Sequence, residues 1–427
     1  MKLKLLIIAL ATTLALSCGP KDQSMRVEYW NFGGTQVFME WIRVQVDSFN
    51  TIHPEIRIVR SQKSWNMIRE LLYTNFSAGK GPDVMTGHAN YAAEFGGSGY
   101  FKPLDEFSDF EAVKSRFLPN IMESTRYEGH YYGIPFSALA FVLVLNKDLF
   151  DAEGIEPPKT WSQFREAARR LTKDLDGDGS IDQWGLVLLG GDKGGFTYRL
   201  TPFIFKAGGE ILSNDLEHAV FDSPEAVSAV QLFADMYQKD HSITPGFLAY
   251  TLSEINDLFC SNRVAMSIEG PWFRGMVDEK RPGKEFYTVP IPVPDHLLDT
   301  YETAPTLQDM VMFSVNAKSE HPEAAWEFIK YVRSDKADME WVAKSMGGLP
   351  TTVAALDDPA AAERIDGFSV FFHELEHARP MPPHPKMDAI ARNVIAPYGE
   401  KAVVGEMTPN EAMDRAVTEA DDLLKED

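Results

Sequence analysis

The segment from position 174 to position 182 has the residue types and spacing of a calcium-binding loop. Oxygen ligands stand at its first, third, fifth and ninth positions, glycine stands at the sixth, and the seventh would contribute its backbone carbonyl. The ligands that this pattern predicts are Asp174, Asp176, Asp178, Ser180 and Asp182. Gly185 replaces the usual bidentate glutamate at position 12, so a water or a remote carboxylate must complete the shell. The pattern predicts a structural Ca²⁺ site, and the alternative is a solvated Asp/Gly turn.

A second chemical motif is His373-Glu374-Leu375-Glu376-His377, which matches H-E-x-x-H. On a helix this spacing puts two imidazoles on one face for Zn²⁺, with the first glutamate as general base. Glu400 or Glu406 would serve as a third ligand. Pro380 stops any helix shortly after the motif. The context therefore counts against a secreted zinc metallopeptidase, which we keep as an alternative.

The N-terminus predicts export and a lipid anchor. Lys2 and Lys4 precede an apolar run of about a dozen residues, which suits a secretory signal and is shorter than the roughly 20 residues of a membrane span. The run ends before Cys18, and the small residue in front of this cysteine resembles the lipobox of bacterial lipoproteins. The leucine of the lipobox is displaced by one place. We predict a signal peptide over 1–17, lipidation at Cys18 and a tether over 18–24; the alternative is a plain signal peptide.

Composition limits the classes of function. After removal of the signal, about 400 residues remain, more than one hydrophobic core usually serves, so two domains are expected. The formal net charge of -22 repels nucleic acid and anionic membrane surfaces. Cys260 is the one cysteine besides Cys18, and its apolar neighbours indicate a buried residue rather than a catalytic thiol.

Strands alternate with helices along the chain, which predicts an α/β fold with parallel segments. Apolar and charged residues alternate over Met25–Trp30, as they do in a strand, and Ile56–Val59 is the second predicted strand. A helix is expected between the two. Thr160 with Gln163 forms a capping box for a further helix. Capping signals at Ser223 and Thr408 predict two more helices.

Several segments, in a specific order along nearly the whole chain, resemble the extracellular solute-binding proteins of the maltose-binding type. The segments that carry the resemblance are Tyr29-Trp30-Asn31-Phe32-Gly33-Gly34, Gly81-Pro82-Asp83-Val84, Tyr132-Gly133-Ile134-Pro135-Phe136, Leu145-Asn146-Lys147-Asp148, Pro158-Lys159-Thr160-Trp161, Glu269-Gly270-Pro271-Trp272, Pro322-Glu323-Ala324-Ala325-Trp326, Gly347-Gly348-Leu349-Pro350 and Ala378-Arg379-Pro380.

The resemblance implies a two-lobed periplasmic-binding-protein fold with a ligand cleft and several crossovers between the lobes. Crossings are expected near 135–140, 306–310 and 345–350. The first lobe would comprise 25–135 and 307–345, and the second 136–306 and 346–427. The resemblance further implies a monomer outside the cytoplasm that captures a sugar or oligosaccharide and delivers it to the permease subunits of an ABC importer, without catalysis.

Sugars have apolar C–H faces and a rim of hydroxyls, so their sites combine aromatic rings with polar groups that form paired hydrogen bonds. Trp272 corresponds in the resemblance to an aromatic residue that stacks on sugar, whereas Trp161, Trp326 and Trp341 are expected in the core. The candidate ligand-binding residues are Gly33, Gly34, Thr35, Trp65, Asn90, Tyr91, Phe136, Tyr198, Trp272, Gln308, Asp309, Gly347 and Gly348. A carbohydrate-active hydrolase is the remaining alternative, although no pair of carboxylates is singled out.

Overall fold

The computed structural model describes residues 24–33, 36–192, 194–344, 348–356 and 369–426. The predicted signal peptide, Cys18, Gly34, Thr35 and Gly347 lie outside these ranges. The strands are β1 Met25–Phe32, β2 Ile56–Lys63, β3 Val84–His88, β4 Arg126–Tyr127, β5 His130–Tyr131, β6 Ile134–Ala140, β7 Val142–Asn146, β8 Trp184–Leu186, β9 Val264–Glu269, β10 Phe286–Val289, β11 Leu307–Val315 and β12 Arg379–Pro380.

The α-helices alternate with these strands in the first half of the chain and predominate in the second. They span Gln36–Ile52, Ile68–Ser77, Phe110–Lys114, Pro119–Glu123, Lys147–Glu153, Trp161–Arg170, Gly195–Lys206, Pro224–Gln238, Leu252–Cys260, Trp272–Lys280, Pro322–Val332, Asp335–Lys344, Val353–Leu356, Ser369–His377, Met387–Ile390, Ala396–Val404 and Pro409–Leu424. The predicted capping box is present. The side chain of Thr160 accepts a hydrogen bond from the N–H of Gln163, and the side-chain Oε1 of Gln163 accepts one from the N–H of Thr160. Along the described ranges, no helix is both long and apolar enough to cross a membrane.

The first lobe is built on a six-stranded sheet in which five strands follow the order β12-β11-β3-β1-β2. The sixth strand, β6, also pairs with β11. Strands β1, β2 and β3 run parallel, and β11 runs antiparallel to β3. Helices cover the sheet, and its core includes Tyr29, Trp41, Phe49 and Trp326. Trp326 and Trp341 are buried, as predicted.

The second lobe is built on a sheet in the order β10-β7-β9-β8. Its large core contains Phe164, Phe203 and Phe233, packed between the sheet and the surrounding helices. Trp161 lies at the edge of this core, where its Nε1 donates to the carbonyl of Pro292. Cys260 is buried, as predicted.

The two lobes are joined by paired strands. β6 and β11 run antiparallel side by side, and β6 is followed after one residue by β7 of the second sheet. A third segment lies against this pair, where the N–H of Leu349 donates to the carbonyl of Ala138 at 2.9 Å. The fold therefore has the expected lobes and crossovers, while the lobe boundaries stay predictions.

Candidate functional site

The two lobes face each other over a depression beside the crossover strands. The loop after β3, the start of β11, the start of helix Gly195–Lys206 and the segment after β12 all contribute to it. Its lining includes Asn90, Ser124, Tyr198, Gln308, Asp309 and Met381. Four of the predicted ligand-binding residues, distant in sequence, therefore lie in one place. This agrees with the rule that α/β sheets bind ligands beyond the carboxyl ends of their strands.

Five aromatic rings form a continuous series through this region. Trp65 packs on His88 with ring centroids 4.8 Å apart, and His88 lies 6.1 Å from Tyr198 of the second lobe. Tyr198 neighbours Phe141 at 6.3 Å, and Phe141 meets Trp272 edge to face at 5.6 Å. The series offers flat apolar surfaces from both lobes. Such surfaces suit the C–H faces of sugar rings.

Sequence reasoning missed two members of this series. His88 ends β3, and Phe141 lies between β6 and β7. Their positions at the ends of buried strands were the one signal in the sequence that could have indicated a place in the cleft. This signal is weak, because an aromatic residue at the end of a buried strand is more often part of the core.

Polar groups accompany the rings. Asp309 Oδ2 lies 2.8 Å from His88 Nδ1. Burial acts to lower the pKa of His88, but the charge and hydrogen bond of Asp309 more than offset it, so the net shift is upward. Gln308 is mostly buried and donates from Nε2 to Ser124 Oγ at 3.3 Å. The Oδ1 of Asn90 is buried and has no hydrogen-bond partner among the described residues. Such an oxygen is suited to accept a hydrogen bond from a ligand hydroxyl.

Tyr91 also carries a buried polar atom without a partner in the described part of the chain. Tyr91 is fully buried, and its ring packs edge to face on Phe95 and His88. Its hydroxyl is the unpaired atom, whereas the indole N–H of Trp272 lies beside the carboxylate of Glu269. A buried hydroxyl usually has a partner, so a ligand or water is expected to provide one for Tyr91.

Phe136 was expected to face the cleft, and this expectation is wrong. The side chain lies in the core of the first lobe, where its ring is 5.6 Å from Trp41 and 5.2 Å from Trp341. The error arises because β6 is buried on both faces, so the sequence gives no alternation that distinguishes the cleft side.

The two described glycines among the candidates allow neighbouring side chains to approach the backbone closely. The N–H of Gly33 already donates to the carbonyl of Lys63, so this N–H is not available to a ligand. A Cβ at Gly33 would lie 1.9 Å from Trp65, and one at Gly348 would lie 1.7 Å from Ser137 Oγ. Gly33 therefore makes room for Trp65, and Gly348 lets the third interlobe segment approach β6 closely.

Four charged residues that the sequence did not single out lie across the cleft. Arg69 and Glu94 belong to the first lobe, and Asp388 and Arg392 to the second. Arg69 Nε lies 2.6 Å from Glu94 Oε1 and 3.3 Å from Asp388 Oδ2. Arg392 Nε donates to the same Asp388 oxygen at 2.7 Å. In the sequence, such residues are indistinguishable from the charged, solvated face of a helix.

The aspartate loop lies at the surface of the second lobe, away from the cleft. Carboxylate oxygens of Asp174, Asp176 and Asp182 come within 4.8 Å of one another. Asp178 Oδ1 instead accepts from the N–H of Ser180 at 2.7 Å. Backbone N–H groups, chiefly that of Gly179, hold the pKa of Asp174 below its usual value. Three of the five predicted oxygen ligands therefore converge, a donor set that fits a hard cation.

The H-E-x-x-H motif forms a helix, but its glutamate is not available as a base. The rings of His373 and His377 lie 5.5 Å apart on one face of Ser369–His377. Glu374 points inward, is buried, and pairs with the buried ammonium of Lys206 at 2.9 Å. Within the described ranges, the aspartate loop alone brings three or more potential metal ligands together. Neither Glu400 nor Glu406 therefore completes a zinc site with the histidines.

Comparisons with known proteins agree with this architecture. A maltotriose-binding protein of Pyrococcus abyssi is 26% identical over 349 residues, which cover 81% of this chain and 70% of that protein. A solute-binding protein of Thermotoga lettingae, solved with alpha-D-tagatose, has a TM-score of 0.83 at 24% identity, covering 94% of this chain and 100% of the other. A maltose/maltodextrin-binding domain from Bdellovibrio bacteriovorus, solved with maltotriose, has a TM-score of 0.80 at 23% identity. The match covers 94% of this chain and 100% of the other.

The family model for bacterial extracellular solute-binding proteins matches residues 33–339. This range contains most of the first lobe, the two crossover strands and much of the second lobe. It also includes all five rings of the aromatic series. The chain therefore belongs to the bacterial extracellular solute-binding proteins.

Proposed function

We propose that this protein captures a sugar or short oligosaccharide between its lobes and delivers it to the permease subunits of an ABC importer. The observation that carries the proposal is the ring series from Trp65 to Trp272, which spans both lobes beside unpaired polar atoms. Hinge closure would bring the two halves of this surface onto the ligand. The names of the similar proteins, which bind maltotriose or tagatose, support a sugar ligand.

The charge distribution of the cleft favours a neutral ligand. His88 faces Asp309, Arg69 faces Glu94, and Asp388 lies between the two arginines. Because these charges pair with one another, an ionic ligand would have to break existing pairs. A neutral polyhydroxylated molecule needs only hydrogen bonds and stacking.

Isothermal titration calorimetry with maltose, maltotriose, tagatose and mannitol tests the sugar ligand. Binding of at least one of them supports the proposal. If the protein binds none of these but binds a peptide or polyamine, the sugar ligand is wrong. Chromatography of maltotriose after long incubation tests the hydrolase alternative, because a binding protein leaves the sugar intact.

We propose further that the mature protein is a monomer held at the membrane through a lipid on Cys18. Membership of an extracellular family is consistent with export of the chain. Mass spectrometry of protein from the membrane fraction would detect the acylated N-terminal cysteine. Cys18→Ser should release the protein from that fraction, and retention of the variant would contradict the anchor.

A structural Ca²⁺ in the aspartate loop is a further proposal. The convergence of Asp174, Asp176 and Asp182 supports it. Their mutual repulsion would be relieved by a cation, and the loop would then be more rigid.

A further inference from the structure

Four charges alternate in sign across the cleft. From the first lobe to the second they are Glu94, Arg69, Asp388 and Arg392, joined by contacts of 2.6, 3.3 and 2.7 Å. The carboxylates of Glu94 and Asp388 are fully buried. Glu94 and Arg392 each lie on a π-helical turn, a widened turn that is frequent at functional sites. The central contact, between Arg69 and Asp388, joins the lobes.

Each lobe keeps a neutral pair when this central contact is broken. Arg69 retains Glu94 within the first lobe, and Asp388 retains Arg392 within the second. The second pair is held to its lobe because Thr197 Oγ1 donates to the carbonyl of Ala391 at 2.6 Å. Opening of the cleft therefore leaves no buried charge without its partner, and the contact is suited to form and break repeatedly.

Closure nevertheless brings two carboxylates to the same guanidinium. Asp388 approaches Glu94, and both become secluded from water. Burial, followed by the negative charge of Asp388, raises the pKa of Glu94 to about 7 in spite of the opposing effect of Arg69. When the lobes separate, Asp388 moves away and water reaches Glu94. Its pKa must then fall toward the ordinary value, so the closed form binds more protons than the open form.

Titratable and charged groups of several neighbouring elements surround Glu94. Those that face it from the neighbouring elements are Arg69, Tyr73, Tyr91, Tyr198, Asp388 and Arg392. Burial raises the pKa of Tyr73 to about 12 and those of Tyr91 and Tyr198 well above their usual value. His88 is the nearby imidazole. It pairs with Asp309, while Asp388 raises and Arg392 lowers its pKa.

We propose that closure of the lobes takes up a proton at Glu94 through the contact between Arg69 and Asp388, so that ligand affinity rises as the medium becomes more acidic. The proposal rests on the proposed function, because it assumes closure around a ligand. Its direction follows from linkage: the closed form is favoured as pH falls through neutrality. With a closed-state pKa of about 7 for Glu94, uptake of one proton gives about a tenfold change in affinity between pH 8 and pH 6.

Two measurements on the full mature chain test this inference. The first is the affinity for maltotriose between pH 8 and pH 6, and the second is the radius of gyration without ligand, by small-angle X-ray scattering. We expect a several-fold tighter affinity and a more compact ligand-free protein at pH 6. Glu94→Gln should remove both pH dependences, and Asp388→Asn, which removes the repulsion from the other lobe, should weaken them.

Two controls separate Glu94 from other titrating groups. Glu111→Gln changes an exposed carboxylate of the first lobe and should leave both pH dependences intact. His88→Gln should change the affinity but keep its slope with pH. Equal slopes in the wild type and Glu94→Gln, or loss of the slope in His88→Gln alone, would overturn the proposal. If the protein does not bind maltotriose but its ligand-free form still becomes more compact at pH 6, maltotriose is not the ligand and the proton uptake remains supported.

Discussion

The Nε of Arg333 donates to the carbonyl oxygen of Pro135 at 2.8 Å, which ties the helix Pro322–Val332 to the start of the first crossover strand. The same guanidinium reaches Thr351 Oγ1 at 2.8 Å beside the third interlobe segment. Its charge is matched by Asp338, and both side chains are almost fully buried. Arg333 therefore binds two of the three segments that join the lobes.

Arg333→Met should be strongly destabilising, because it leaves the carboxylate of Asp338 buried without its partner. We expect a loss of about 3–5 kcal/mol in the free energy of unfolding, measured by urea denaturation. The double variant with Asp338→Leu should recover most of this loss, because neither charge then remains. A loss below about 1 kcal/mol in the single variant, the size expected of an exposed pair, would contradict this account.

Trp272→Ala should weaken sugar binding by about tenfold or more, because it removes both a stacking surface and buried apolar area. Calorimetry with the tightest sugar from the ligand screen provides the measurement. Trp184→Ala is the matched control, since Trp184 lies in β8 of the same lobe and contacts Arg263 rather than the ring series. Equal affinities of the Trp272→Ala and Trp184→Ala variants would show that Trp272 does not contact the ligand.

Ca²⁺ should raise the melting temperature, and EDTA should lower it, because a ligand of the folded state stabilises by mass action. Asp176→Asn reduces the charge of the loop and should abolish the response to Ca²⁺. The depressed pKa of Asp174 keeps its carboxylate ionised at neutral pH, so the response should weaken only in acidic medium. The same response in the wild type and in Asp176→Asn would contradict a site at this loop.

Glu374→Gln should lower stability rather than abolish a peptidase activity. Burial raises the pKa of Glu374 and lowers the pKa of Lys206, so both ions depend on each other for stabilisation. Urea denaturation of Glu374→Gln should show this loss. His373→Ala should have little effect, because the ring is partly exposed. Stoichiometric zinc in purified protein, lost together with peptide cleavage in His373→Ala, would support the peptidase instead.

Local structure was predictable from the sequence where the residues that determine it are only a few positions apart. The capping box at Thr160, the helix start at Ser223 and the strand from Met25 follow from hydrogen-bonding side chains and apolar alternation nearby in sequence. The aspartate loop was predictable for the same reason. Phe136 was not, because a strand buried on both faces has no polar positions that show which side meets the cleft.

The sequence by itself determined the α/β class and the family resemblance, since these depend on local pattern and on the order of motifs. The tertiary structure alone decided which side chains meet. It placed Trp65 over Gly33, turned Glu374 inward to Lys206, and set Arg69 against Asp388 from the other lobe. The physical reason is that burial and charge pairing depend on distance in space, and residues 69 and 388 approach only after both lobes have folded and met.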